Sequence, residues 1–143
     1  MVGFEVEMKN STFLYMVGNG DFLGSFFDTV TYRLEKGIRG KKFPVFNKLY
    51  QGESITFGDL CKLEKEVEKI TKKLKKFSPK EVVWNMEDLS QQPPWGDNIS
   101  SEITDLSNYF VTSNGKQLFD VLNAAIKHAA ELKTSIKVKS TFE

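Results

Sequence analysis

Cysteine and histidine are almost missing from this chain of 143 residues, which has one of each. A single cysteine, Cys61, excludes an intramolecular disulfide, and a single histidine, His128, excludes a zinc site built from cysteine and histidine pairs. A reducing compartment is therefore the default expectation. Nucleophilic catalysis by Cys61 or by a serine would need a nearby base, and His128 is the only histidine available. We expect a protein without catalytic residues.

Long apolar runs are also missing. Within the first nine residues, apolar Phe4, Val6 and Met8 alternate with charged residues, so this segment lacks the hydrophobic stretch that a signal peptide needs. No segment approaches the roughly 20 apolar residues that span a bilayer. We therefore expect a soluble protein of the cytoplasm that has no membrane partner.

The length suits one domain, because a chain of this size can bury roughly two-thirds of its unfolded surface in a single core. The sequence has no repeat, no low-complexity tract and no linker that would mark a boundary. We therefore expect residues 1–143 to form a single domain.

Apolar residues at helical spacing predict three main helices, over residues 22–34, 60–77 and 115–132. A short fourth helix is expected to open at Pro44, since proline is favoured at the first position of a helix.

Alternation of apolar and polar residues predicts a strand over residues 4–8 and a closing strand around Ile136 and Val138, and residues 12–17 are expected to form a hairpin with the first strand. β-Branched and aromatic content predicts two more strands, at 81–86 and 107–112. The expected fold is α+β, in the order β-β-α-(α)-α-β-β-α-β. Its mainly antiparallel sheet would have four or five strands, with the three main helices packed on it.

Charge is distributed unevenly along the chain. Residues 33–80 hold fourteen basic and six acidic residues, whereas residues 81–115, the acidic segment, hold six acidic residues and no lysine or arginine. When folded, such a chain can present two faces of opposite potential, which steers its encounter with charged partners. The alternative is that these charges only solvate the surface.

Two chemical interpretations of the charged residues remain open beside partner binding. Glu87, Asp88 and Asp97 could hold a metal ion for a metal-dependent enzyme, although no EF-hand spacing or histidine pair accompanies them. The lysines between positions 72 and 76 could contact nucleic acid, although no arginine or aromatic residue lies among them. We expect no metal, no cofactor and no nucleic acid.

Trp95 lies in the turn-forming run PPWGD at positions 93–97. The two prolines fix their own φ angles, so the indole is held at low conformational cost. Tryptophans presented in this way commonly anchor protein interfaces. The alternative is that Trp95 folds back over the sheet and fixes a long loop.

The chain resembles the bacterial immunity protein 70 family in five segments: VW at 83–84, EDLS at 87–90, QPPWGDNIS at 92–100, ITDLSNYFVT at 103–112 and GKQLF at 115–119. Three earlier segments fit the family as well: GDFLGSFF at 20–27, KFP at 42–44 and LYQG at 49–52. The resemblance therefore covers nearly the whole chain.

The resemblance implies an antidote of a polymorphic toxin system, used in contact-dependent competition between bacteria. Its partner would be the C-terminal domain of a cognate toxin, which it would bind and inactivate without catalysis or cofactor. An acidic surface would speed association with a basic toxin, and aromatic anchors would add affinity. The residues expected to face the toxin are Glu87, Asp88, Trp95, Asp97, Glu102 and Asp105.

Overall fold

The computed structural model describes residues 1–140, which contain three strands and four α-helices. Their bounds are β1 Val2–Glu7, β2 Thr12–Gly18, α1 Gly20–Leu34, α2 Pro44–Tyr50, α3 Phe57–Leu74, α4 Leu118–Glu131 and β3 Ile136–Ser140. A short 3-10 turn, Pro79–Glu81, follows α3. Of the helices in this part of the chain, none combines the length and hydropathy that a membrane crossing requires.

The sheet has β1 at its centre, antiparallel to β2 on one side and to β3 on the other. Phe4 and Val6 of β1 and Ile136 of β3 are buried on the inner face. On the other face, Lys137 lies 3.9 Å from the Glu5 carboxylate. The predicted hairpin and closing strand are confirmed, because the alternation of side chains matches the two faces of the sheet.

The helices cover the inner face of the sheet and pack on one another. α4 contacts β1, β2 and α3, while α3 contacts α1 and α2. A cluster of aromatic side chains lies within the core. The ring of Phe26 packs edge to face on those of Phe46, Phe110 and Phe119, with ring centroids 5.2–5.7 Å apart. This burial of large apolar surface is the main force that holds the helices to the sheet.

The predicted sheet of four or five strands is wrong: residues 1–140 form one sheet of three. Residues 81–86 are not a strand, because side chains of α1 bond the backbone that a neighbouring strand would otherwise bond. The Val83 N–H donates to the Thr29 hydroxyl at 3.0 Å. Its carbonyl accepts from the hydroxyls of Ser25 at 2.7 Å and of Thr29 at 3.1 Å.

The second predicted strand, 107–112, is also wrong. Tyr109 and Phe110 are consecutive and both buried, so the alternation that a half-buried strand needs is broken. Only an isolated bridge between Val111 and Gln117 is present in this region. The element order in the described chain is therefore β-β-α-α-α-α-β, in which the two predicted middle strands are missing and the short helix expected at Pro44 is present.

Helix boundaries differ from prediction by a few residues, except that α2 begins at Pro44 as expected. α4 begins at Leu118 rather than at residue 115, because residues 112–116 form a turn. In that turn Gly115 has a φ of 81°, and its N–H donates to the Thr112 carbonyl at 2.9 Å. A left-handed residue of this kind cannot lie within a helix.

Candidate functional site: a partner-binding surface

The acidic segment has almost no regular structure, yet it is bonded to the rest of the molecule along its length. The Met86 N–H donates to the Asp28 carboxylate of α1 at 2.9 Å. The Leu106 N–H donates to the Phe77 carbonyl at 3.0 Å. Near its end, the Ser113 N–H donates to the carbonyl of Val17 in β2 at 2.9 Å. These bonds hold the segment against α1 and one edge of the sheet.

Trp95 lies half-buried within this segment and does not project from it. Its indole N–H donates to the Tyr109 hydroxyl at 2.8 Å. Its ring meets that of Trp84 edge to face at 5.5 Å and lies 6.4 Å from Phe22 of α1. Of the two arrangements considered for this indole, the structure has the one in which it folds back onto the molecule.

An apolar groove of about 450 Å³ opens beside this indole. We call it the Trp95 groove. Its apolar lining comes from β2, α1 and the acidic segment: Val17, Phe22, Trp95, Ile99, Ile103, Tyr109 and Val111. The other lining residues are Gly18, Asn19, Asn98, Ser100 and Ser113. Among the described residues, the groove therefore has no charged lining residue.

The sequence patterns do not predict this groove. Phe22 belongs to the helical spacing of residues 22–34, and Ile99 and Ile103 lie outside any periodic pattern. A usable signal was present: Ile99 and Ile103 are apolar residues in an otherwise polar stretch that forms no helix or strand. Such residues need a tertiary surface to cover them, and here they are only half-buried.

Tyr109 connects the groove to the charged residues around it. Burial raises the pKa of its hydroxyl above 10.0, and the nearby Asp97 carboxylate raises it further, whereas the hydrogen bond from Trp95 acts in the opposite direction. The hydroxyl therefore stays protonated at neutral pH, and the Trp95–Tyr109 wall of the groove carries no charge.

The carboxylates predicted to face a partner are spread along the segment. Glu87, Asp88, Asp97 and Glu102 are exposed, and Asp105 is half-buried. Asp97 and Glu102 are chain neighbours of the groove residues Asn98 and Ile103. No three side chains among the histidine, cysteine, aspartate and glutamate residues of 1–140 are grouped so that they could hold a metal ion.

Two of these carboxylates are fixed by short-range hydrogen bonds. The Asp88 carboxylate accepts from the Ser90 hydroxyl at 2.6 Å and from its N–H at 3.1 Å, and these bonds lower the pKa of Asp88. Burial alone would raise the pKa of Asp105, but hydrogen bonds from Ser107 and Thr104 outweigh it, so this pKa is also lowered. Both groups are charged at neutral pH.

The lysines near the end of α3 do not form one bare basic patch. Lys72 lies 3.3 Å from the Glu68 carboxylate, with which it forms an exposed ion pair. The Lys73 ammonium lies 5.8 Å above the Phe43 ring. The positive charge of Lys75 helps to lower the pKa of the Asp105 carboxyl. Their charges are therefore directed to different neighbours.

The residues considered for nucleophilic catalysis lie on different helices. His128 of α4 bonds the Tyr15 hydroxyl through Nδ1 at 2.9 Å, and its ring lies 5.5 Å from that of Phe13. Cys61 is exposed on α3. Tyr15, not a cysteine or a serine, is the hydrogen-bonding partner of this histidine.

Comparison with known proteins identifies the chain at the level of a family. The family model described as Immunity protein 70 matches residues 8–138, which is nearly the whole chain. No curated protein and no solved structure matches it.

Proposed function

We propose that this chain binds the C-terminal domain of a cognate bacterial toxin and neutralises it, because the chain belongs to the Immunity protein 70 family. The inhibition would be stoichiometric, one molecule for each toxin domain, without catalysis or cofactor. The cytoplasm is the proposed site of action. The observation that carries this proposal is the family match over residues 8–138.

The toxin-facing surface in this proposal is the acidic segment. Its exposed carboxylates at Glu87, Asp88, Asp97 and Glu102 supply negative charge, and the half-buried Asp105 extends it. Because residues 81–115 hold no lysine or arginine, nothing within the segment neutralises this charge. A surface of one sign attracts a partner of the opposite sign, so the proposed toxin domain is basic where it binds.

In this proposal Trp95 is not a projecting anchor that inserts into the toxin. Its indole is held by a hydrogen bond to Tyr109 and by ring contact with Trp84. A fixed aromatic wall loses little conformational entropy when a partner packs on it. Trp95 therefore contributes to binding as a prebuilt surface.

The test is co-expression with the toxin domain encoded by the neighbouring gene. We expect bacteria that produce the toxin domain to stop growing, and bacteria that also produce this chain to grow normally. The purified proteins should form a complex of one copy each, measured by light scattering after gel filtration. Failure of protection, or turnover of a substrate by this chain alone, would contradict the proposal.

A further inference from the structure

We infer that the Trp95 groove receives a large apolar side chain carried on a basic segment of the toxin domain. This inference rests on the proposed function and makes it more specific. It assigns the acidic carboxylates to long-range attraction and the groove to short-range anchoring.

The groove has the size and lining of an anchor site. Its volume of about 450 Å³ leaves room for a large apolar side chain. Phe22, Trp95 and Tyr109 give it aromatic walls. Interface hot spots are commonly large side chains that fill such well-packed pockets and are shielded from water there.

The walls are held in place before any partner binds. Trp95 is bonded to Tyr109 at 2.8 Å, and the Phe22 ring packs on that of Phe110 at 5.8 Å. Phe110 is itself 1% exposed and belongs to the core. Because the walls are anchored in the core, little ordering is needed when the groove is filled.

A protein segment is the expected occupant of this groove because the proposed partner is a protein. Amides and hydroxyls line small-molecule sites as well as protein interfaces, so the assignment follows from the proposed function. Here the polar lining groups are neutral amides and hydroxyls, Asn19, Asn98, Ser100 and Ser113. An apolar core with a neutral polar rim is the common anatomy of a protein interface.

The acidic residues next to the groove residues in the chain favour a basic partner segment. Asp97 precedes Asn98, Glu102 precedes Ile103, and Asp21 precedes Phe22, so an acidic residue adjoins each of three lining positions in the chain. Asp97 and Asp21 are exposed. Lysine or arginine beside the inserted side chain would be attracted by these carboxylates, whereas acidic neighbours would be repelled.

The first test fills the groove from its edge with Asn98→Trp, because Asn98 is exposed and lines the groove. We expect this variant to bind the toxin domain at least about tenfold more weakly, measured by calorimetric titration. The matched control is Asn123→Trp, which adds the same indole at an exposed position in a separate groove between α3 and α4. The control should bind as tightly as the unaltered chain.

A second measurement follows the groove directly. The chain has two tryptophans, Trp84 and Trp95, so 5-fluorotryptophan incorporated into it yields two fluorine signals by nuclear magnetic resonance. The variant Trp84→Phe identifies the Trp95 signal. We expect that signal to shift when unlabelled toxin domain is added. The shift should reach its limit at the molar ratio at which binding saturates.

The outcomes separate the inference from the function that it refines. If the unaltered chain does not bind the toxin domain, the proposed function fails and the inference fails with it. If it binds, but Asn98→Trp binds equally well and the Trp95 signal does not move, only the groove inference is overturned. A small molecule that occupies the groove of the purified protein, or a Trp95 shift that depends on this chain's own concentration, would also overturn it.

Discussion

At the scale of single residues, the acidic segment is organised by hydrogen bonds from side chains more than by backbone pairing. The hydroxyl of Thr29 forms hydrogen bonds with both the N–H and the carbonyl of Val83. Asn108 accepts from the N–H groups of Thr104 and Asp105 at 3.0 and 3.2 Å. Such bonds satisfy backbone groups that would otherwise need a strand, so the segment is ordered without one.

Tyr109 provides a prediction that depends on pH. Its raised pKa means that the folded protein holds the phenolic proton more tightly than the unfolded chain does. The stability linked to this group is therefore present below about pH 10 and is lost as pH rises through the folded-state pKa. Tyr109→Phe should be less stable than the unaltered chain at pH 8 by about 1 kcal/mol, because the Trp95 N–H loses its acceptor.

Above pH 10 the difference between the two proteins should shrink, because only the unaltered chain still has a phenol to ionise at this position. The free energy of unfolding, measured by urea titration at intervals from pH 8 to pH 11, checks this. The values at pH 8 serve as the internal control for the lost hydrogen bond. Two stability curves that stay parallel over this range would refute the assignment.

At the scale of elements, α2 shows how a short helix is held by its neighbours. Phe43, the capping residue that precedes Pro44, makes no capping hydrogen bond with its side chain. Instead the Glu35 carboxylate, at the end of α1, accepts from the N–H groups of Lys42 at 2.9 Å and Phe43 at 3.1 Å. Glu66 of α3 accepts from the Phe46 N–H at 2.8 Å. Glu35 therefore fixes the residues that lead into α2, and Glu66 satisfies an otherwise unpaired donor in its first turn.

Glu35→Ala should destabilise the protein strongly. Glu35 is 2% exposed, and its removal leaves two N–H groups without an acceptor, that of Phe43 in a buried residue. We expect the free energy of unfolding to fall by about 2–4 kcal/mol, measured by urea titration at pH 7. The matched control is Glu68→Ala, whose side chain forms an ion pair on the surface of α3, and it should change stability by less than about 1 kcal/mol. Equal effects of the two substitutions would contradict this account of α2.

At the scale of the whole molecule, the uneven distribution of charge is the property most directly linked to the proposed function. A basic middle and an acidic segment coexist in a chain whose net charge is +1. The net charge therefore says little about partners. Charge that is concentrated on one surface acts mainly on the rate of encounter and is weakened by salt.

Neutralising the exposed carboxylates of the acidic segment should slow association with the toxin domain. The variant carries Glu87→Gln, Asp97→Asn and Glu102→Gln, three positions that are exposed. We expect the association rate constant to fall about tenfold at low salt, with a smaller change in the dissociation rate, measured by stopped-flow fluorescence or surface plasmon resonance. The difference should shrink as salt is added.

The matched control removes the same charge from another surface, through Glu53→Gln, Glu64→Gln and Glu68→Gln, which are also exposed. This variant should associate at nearly the rate of the unaltered chain. Equal slowing by both triple variants would show that total charge matters and that the acidic segment does not. Faster association after neutralisation of the acidic segment would indicate an acidic partner.

The family resemblance and the elements with strong periodicity were accessible from the sequence. The hairpin, the closing strand and the helical stripes of α1, α3 and α4 follow from the spacing of apolar residues, since each buries one face. The family match confirms what the motifs around PPWGD indicated. Local patterns of this kind need no knowledge of distant neighbours.

The tertiary structure decided the number of strands and the position of the groove. Residues 81–86 have the composition of a strand, but Ser25 and Thr29, more than 50 positions earlier in the chain, bond the backbone of Val83. Val17, Phe22 and Trp95 line one groove although 78 positions separate the first from the last. Contacts between residues so far apart arise only when α1, β2 and the acidic segment pack together, so no local pattern encodes them.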